Sequence, residues 1–303
     1  MQWSRYMQSP LFLEMTRKYY LSSQDLRPVI RGYLEVRDSM QILDVACGSG
    51  FFTRLLAEGL SSGKVYGVDL DGDHIQAAQV YAKAAGVADT TEFLTGDACH
   101  LPFEDNVFDL VTSHTFFNVV QNYQAAMREM IRVTKNGGVV ASVDNMSLGH
   151  QTWNTGHYGD NVLFQRLKEL ETKAWTMYQS ICPIGSQTLG IPTSEVPRFY
   201  AMEGLNQVRI YPLGRAFSLS NAAMPEEEKR EFIQMSHDTS VEKLEIFWES
   251  EKASEYLTDG ECAEYIELLG QKRDYLLATL GENEIWEWHG GANLLTIGTV
   301  EKE

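Results

Sequence analysis

Three aspartates beside small residues are the first positions in this sequence with chemistry to offer. Asp44 opens DVACGSG, Asp69 closes KVYGVD, and Asp97 sits in TGDAC. An ionised carboxylate only accepts hydrogen bonds, so at the end of a strand it suits the hydroxyl or amine donors of a ligand. Gly48 and Gly50 let the backbone of the same loop turn sharply. ILDVACGSG followed by FFTRLLAEGL reads as strand, tight loop and helix, the usual setting for a nucleotide-like cofactor.

Two cofactor classes fit this loop badly. A phosphate cradle of the Gly-x-x-x-x-Gly-Lys-Ser/Thr kind needs a lysine, and Phe51 and Phe52 follow Gly50 instead. A dinucleotide loop needs a third glycine for close helix packing, where this chain has Thr53. Asp44, just ahead of the loop, would also repel a pyrophosphate.

The elements that must position these residues alternate clearly from 41 to 145. QILDVA, KVYGVDL, TEFLTGD, VFDLVTS and GGVVASVDN read as strands, and FFTRLLAEGL, GDHIQAAQVYAKAAGV and NYQAAMREMIRVTK as helices, the last closed by Asn-Gly-Gly. Strand alternating with helix at this spacing predicts a parallel sheet covered on both faces. NQVRIYPL and NLLTIGTV are two later strands, each expected at a sheet edge. The expected fold is therefore α/β, a doubly wound, seven-stranded, mostly parallel sheet with N-terminal helices and helical lid insertions. Its predicted segments are N-terminal cap helices (1–40), a cofactor-binding core (41–145), a helical lid (146–192), a helix and late strand of the core (193–212), a second helical insertion (213–290) and a last strand (291–303).

Read together, Asp44-x-Ala46-x-Gly48-x-Gly50, Asp69, Gly96-Asp97-Ala98, Phe108-Asp109-Leu110-Val111 and RVTKNGG resemble the class I S-adenosylmethionine-dependent methyltransferases, over residues 41–145 in unbroken order. Within that family the resemblance is to the small-molecule type of ubiquinone and menaquinone biosynthesis. Ala46 replaces the usual first glycine, and Thr134 and Asn136 replace common Leu and Pro. The resemblance implies a Rossmann-like methyltransferase fold and S-adenosylmethionine as cofactor, leaving S-adenosylhomocysteine. It puts Asp69 on the ribose diol, Asp97 on the adenine amine with the Ala98 N–H near the ring, and Asp44, Ala46 and Gly48 at the methionine end. Leu70 and Leu101 would flank the adenine. Asp109, at a strand entrance, is expected to be structural.

Methyl transfer from a sulfonium is an in-line displacement that needs positioning and exclusion of water, and a base only where the acceptor must lose a proton. His114, where the fourth strand ends, is a candidate base or a contact of the cofactor's methionine end, and a plain loop histidine is the alternative. Phe117 and Asn118 just after it, and Trp153, His157 and Tyr158 in the first insertion with His150, are candidate acceptor-side residues, with aromatic core as the alternative. Trp286, Trp288 and His289 share that ambiguity. His74 is expected to be exposed, Cys99 to be a small buried thiol, and Glu226-Glu227-Glu228 to form the charged first turn of a helix.

With 25 Lys+Arg against 42 Asp+Glu the net charge is −17, which opposes binding to nucleic acid. The four cysteines are scattered without a CxxC pair, so no metal site is indicated. Neither a signal peptide nor a membrane span is apparent, and a cytoplasmic protein is expected. The expected partner is a small-molecule acceptor, with homodimer formation left open. The competing readings are a non-catalytic S-adenosylmethionine-binding regulator and an NAD-dependent oxidoreductase.

Overall fold

A computed structural model describes residues 2–7, 9–19, 26–145, 151–154, 162–181, 190–213, 216–219, 224–281, 287–290 and 293–302. These fall into two compact units, one of residues 21–149, 187–214 and 292–303, the other of residues 1–20, 150–186 and 215–291.

The first three helices are α1 (Gln2–Met7), α2 (Pro10–Tyr19) and α3 (Leu26–Tyr33). The core then runs β1 (Gln41–Val45), α4 (Phe51–Ala57), β2 (Lys64–Asp69), α5 (Gly72–Ala84), β3 (Thr91–Thr95), β4 (Phe108–His114), α6 (Tyr123–Val133) and β5 (Thr134–Asn145). After it come β6 (Gln151–Asn154), α7 (Val162–Ile181), α8 (Val196–Met202), β7 (Asn206–Leu213), β8 (Ala216–Ser218), α9 (Glu226–Trp248), α10 (Asp259–Thr279), β9 (Glu287–Gly290) and β10 (Asn293–Thr299).

The first unit is built on a seven-stranded sheet in the order β3-β2-β1-β4-β5-β10-β7. Strands β1 to β5 are mutually parallel, and β10 runs antiparallel to both of its neighbours. The expected mostly parallel sheet is present, with one correction: of the two late strands only β7 is at an edge, and β10 is interior. A late strand separated by a long helical insertion can close either position, and sequence spacing does not choose between them.

Alternation along each strand divides the core by face. Ile42, Leu110, Ala141, Val143, Leu295 and Ile297 pack with Ile30 of α3 and Phe52, Leu55 and Leu56 of α4. Leu43, Val45, Val111 and Val140 pack on the other face with Met127 and Met130 of α6 and Tyr200 of α8. Helix α4 is short, and Arg31 of α3 closes it by donating from Nη1 to the Leu56 carbonyl at 2.5 Å, one of the end groups a helix leaves unpaired. On the same face, beside α4, the Asp71 side chain accepts from Asp73 N and caps α5.

The turn expected after α6 is absorbed into β5, which begins at Thr134, and the Gly137 N–H donates to the Val300 carbonyl at 2.8 Å. Asp109 is structural, its carboxylate accepting from Gln41 N and Lys135 Nζ at 2.8 and 2.7 Å.

The second unit contains α1, α2, α7, α9 and α10, and a small sheet, β6-β9-β8, that the sequence did not suggest. Leu170, Ala174 and Met177 of α7, Leu244 and Phe247 of α9 and Leu269 of α10 form its main core. Glu226, Glu227 and Glu228 form the first turn of α9, as expected. A capping box, Thr258 with Glu261, starts α10.

Candidate cofactor site

In an open parallel sheet, ligands bind beyond the carboxyl ends of the strands where the strand order reverses. That point here lies between β1 and β4. Two non-glycine residues with positive φ sit there, Ala46 (57°) after β1 and Thr115 (53°) after β4. Left-handed backbone is uncommon for alanine and a clear outlier for a β-branched residue. Strain of this kind gathers where chain geometry serves a ligand.

The loop after β1 is held from three directions. The Cys47 N–H donates to the Val68 carbonyl at 3.0 Å. The Gly48 N–H donates to Asp69 Oδ2 at 2.8 Å. Arg54 Nη1 donates to the Ser49 carbonyl at 2.6 Å while its guanidinium lies over the Tyr81 ring. The two glycines do different jobs. A Cβ on Gly50 would come within 2.8 Å of Phe93, so Gly50 permits packing, whereas a Cβ on Gly48 would meet nothing within 4 Å. The open side of the loop is therefore at Gly48.

Asp44 is fully buried and accepts from the Thr53 hydroxyl at 2.6 Å, with the Thr112 hydroxyl at 3.5 Å. Burial pushes its pKa up to about 7, against the opposing effect of the Thr53 bonds. Thr53, which breaks the dinucleotide pattern, thus anchors α4 to β1. Its role was missed because one residue's fit to a motif says nothing about the carboxylate it faces.

Asp69 is the best-connected carboxylate of the site. Besides Gly48 it accepts from Asp71 N at 3.0 Å, and His74 Nδ1 lies 3.4 Å from Oδ1. Burial raises its pKa, but the hydrogen bonds from His74, Asp71 and Gly48 together outweigh burial and leave the group below the usual carboxylate range. His74 is therefore only about one-fifth exposed, a correction to the expected free side chain. The physical reason is the tight β2–α5 turn, which folds the first turn of α5 back onto the strand end. Its pKa is raised, chiefly by the Asp69 bond.

Asp97 is half-exposed and accepts from Cys99 N at 2.8 Å. That bond is the main cause of a lowered pKa. Its outer side faces solvent, as does Leu70, which is 75% exposed although apolar. Ala98 and Cys99 are partly buried, so Cys99 is less enclosed than expected. Leu101 belongs to the core.

His114 ends β4 stacked on the Phe52 ring and tilted against that of Phe51, with centroids 5.6 and 5.7 Å away. Desolvation lowers its pKa to about 4, so its ring is neutral at pH 7. Phe117 and Asn118 are buried, Phe117 against Phe116, Phe199 and Tyr200. Trp153 lies in β6 of the helical unit, opposite Trp288. His150, His157, Tyr158 and Trp286 lie outside the described residues.

The parts gathered at the switch point are an open glycine loop, a hydrogen-bonded carboxylate at the end of β2, an exposed leucine and a half-exposed carboxylate beyond β3. Acceptors of this kind suit a nucleoside without phosphates, whose diol and amine donate, and no lysine or arginine from the described loop residues points to a phosphate. Such a fold and site define an S-adenosylmethionine-type nucleoside-binding domain.

Known proteins agree. Residues 43–142 match the family described as a methyltransferase domain. A demethylmenaquinone methyltransferase of Bacillus pumilus is 29% identical over 182 residues, 59% of this chain and 76% of that protein. Another, from Geobacillus stearothermophilus, is 36% identical over 112 residues, which are 37% of this chain and less than half (47%) of the relative. Among solved structures, Haemonchus contortus phosphoethanolamine N-methyltransferase 2 in complex with phosphomonomethylethanolamine and S-adenosylhomocysteine aligns with a TM-score of 0.53. That alignment covers 100% of this chain and 59% of the other at 14% identity, and shows the fold alone. The chain is a class I S-adenosylmethionine-dependent methyltransferase, and S-adenosylmethionine is its cofactor. No helix among the described residues is long and apolar enough to cross a membrane.

Proposed function

We propose that the chain methylates a small apolar acceptor by in-line displacement, and that a demethylmenaquinone-like quinol is the first acceptor to try. The observation that carries the reading is the Gly48–Asp69 hydrogen bond, which joins the open loop to the carboxylate suited to a ribose diol. Two relatives named demethylmenaquinone methyltransferase support the acceptor class, the first over three quarters of its length.

S-adenosylmethionine supplies an already activated sulfonium methyl. The chain's residues then have to bind and align. Asp69 accepts from the ribose hydroxyls while holding Gly48, and Asp97 accepts from the adenine amine with the Ala98 N–H beside the ring. Leu70 covers one adenine face. Asp44 acts through Thr53 to set the strained turn at Ala46 and Gly48, which receives the methionine end. The carboxylates at 69, 71, 73 and 97 favour a cationic ligand by their summed field. His114, uncharged among phenylalanines, contributes an apolar wall on that side. The segment Phe116–Asn118 after β4 stands on the acceptor side. A net charge of −17 supports a small acceptor over nucleic acid, and the same reading places the chain in the cytoplasm, as one copy or two.

Calorimetric titration with S-adenosylmethionine, S-adenosylhomocysteine and NAD in parallel tests the cofactor site. Binding of the first two and not the third is expected; binding of NAD alone overturns the reading. Transfer of labelled methyl to a short-chain demethylmenaquinol in detergent then tests the acceptor class.

A further inference from the structure

A carboxylate offers about four lone-pair positions to hydrogen-bond donors, and in Asp69 the fold already occupies three of them. Oδ2 accepts from Gly48 N at 2.8 Å. Oδ1 accepts from Asp71 N at 3.0 Å and from His74 Nδ1 at 3.4 Å. One position is left, on Oδ2. A ribose diol brings two hydroxyl donors, so this carboxylate can hold both only if one protein donor withdraws.

The three donors are not equal. Gly48 and Asp71 donate from backbone N–H groups fixed by the loop after β1 and by the cap of α5. His74 donates from a side chain that keeps about one-fifth of its surface in solvent, and its contact is the longest of the three. Since N–H···O bonds cluster near 2.9–3.0 Å, a bond of that length is a weak one. His74 is therefore the donor that can leave. Facing a carboxylate that only accepts, its Nδ1 carries the proton.

Leaving changes the protonation of the ring. The bond to Asp69 raises the His74 pKa most, against burial, and the charges of Asp69 at the end of β2, Asp71 in the turn and Asp73 on α5 add to the rise. The other strand beside α5 is β3, whose Thr95 hydroxyl lies near Gly72. Beyond it Asp97 is engaged with Cys99 N and, at 3.5 Å, with His100. Away from Asp69 the imidazole returns toward its ordinary pKa of about 6.5.

We propose that His74 competes with the ribose diol for Asp69, so that cofactor binding expels the imidazole from Oδ1 and releases a proton. The inference rests on the ribose role proposed for Asp69 and deepens it. By linkage, a ligand whose binding releases a proton binds more weakly as pH falls. S-adenosylmethionine and S-adenosylhomocysteine both carry the ribose, so both follow this dependence. Only the first carries the sulfonium charge, and an effect confined to it would be charge repulsion and would overturn the competition.

Calorimetric titration with S-adenosylhomocysteine at pH 6, 7 and 8 gives the first test. Kd should rise by about tenfold from pH 8 to pH 6, the change that a fall of about one unit in a single pKa produces. Titration at pH 7 in two buffers of different ionisation enthalpy reads the released proton directly. His74→Leu removes both the competing donor and the titration, so its Kd should vary little with pH and should be lower than that of the wild type at pH 6. Weaker binding than wild type at pH 6 would show that His74 supports the ribose site, and overturns the proposal. Proton NMR of the His74 ring gives a second test in the wild-type protein: its titration should move to lower pH on adding S-adenosylhomocysteine, and an unchanged or higher midpoint also overturns it. Asp69→Ala separates the two levels of the argument. If its Kd is that of the wild type, the ribose reading itself fails. If its Kd rises while His74→Leu keeps the wild-type pH profile, the competition alone fails.

Discussion

The N–H of Gly48 donates to Asp69 Oδ2 at 2.8 Å, so the loop after β1 and the last residue of β2 form one unit. The remaining oxygen of Asp69 accepts from Asp71 N and faces His74. One carboxylate thereby sets the shape of two loops. Its charge is retained in a largely buried position, which suits the ribose role proposed for it.

Asp69→Ala removes both the proposed ribose acceptor and the anchor of Gly48. The expected loss in S-adenosylmethionine affinity is about 1.5–3 kcal/mol, the usual range for hydrogen bonds to a charged group. Titration calorimetry reads this as a rise in Kd of roughly ten- to a hundredfold. An unchanged Kd takes Asp69 out of the site.

Ala46→Gly should stabilise the protein. Left-handed backbone costs a non-glycine residue roughly 1–2 kcal/mol, while glycine's extra freedom in the unfolded chain costs about 0.4–1 kcal/mol. The strain term is the larger at a φ of 57°, so a net gain of about 0.5–1 kcal/mol is expected in urea unfolding. The opposite sign would show that the Ala46 methyl packs well enough to offset its backbone. Gly50→Ala should be far worse than Gly48→Ala, because Phe93 blocks the first and nothing blocks the second.

Asp44 gives stability a pH dependence of unusual sign for a carboxylate. Its folded pKa is about 7, against an unfolded value of about 3.9. Between those limits the folded state holds a proton that the unfolded chain has released. The contribution of Asp44 therefore falls as pH rises from about 4 to about 7 and is level above. Asp144, raised by burial to about 6, acts in the same direction. Asp69, Asp97 and Asp109 act oppositely, since their lowered values add stability that is lost only as pH falls below the ordinary carboxylate range. Asp44→Asn keeps an acceptor for Thr53 and removes the titration. Its urea midpoint should vary less than the wild type's between pH 5 and 8, and parallel pH profiles would show that Asp44 is ionised throughout.

Much of this was legible in the sequence, for reasons that are local. A strand ending in Asp44 or Asp69 and a helix resuming after a few residues leave little choice of topology, and the short loops put both carboxylates at the same end of the sheet. What depended on contacts between segments was not legible. His74 reads as the exposed start of a helix until the turn brings it to Asp69, and Thr53 reads as a missing glycine until Asp44 is seen to need a donor. Asp144 and Tyr200 carry no motif at all; they meet because β5 and α8 pack on one face. The place of β10 inside the sheet is equally a product of assembly, since its own residues fit an edge as well as an interior.

His114 supports a last prediction, because its environment argues against the proton-accepting role that its position suggests. Stacked on Phe52 and tilted against Phe51, with its pKa lowered by desolvation to about 4, it is a neutral ring with little driving force for taking a proton at neutral pH. His114→Phe should preserve the stacking and S-adenosylmethionine affinity, and its pH–rate profile between pH 6 and 8 should parallel that of the wild type. If instead the variant loses activity by a hundredfold or more while still binding cofactor, the imidazole is doing chemistry. Its pKa in the complex must then lie well above that of the free protein, a shift that proton NMR of the histidine ring would detect on adding S-adenosylhomocysteine.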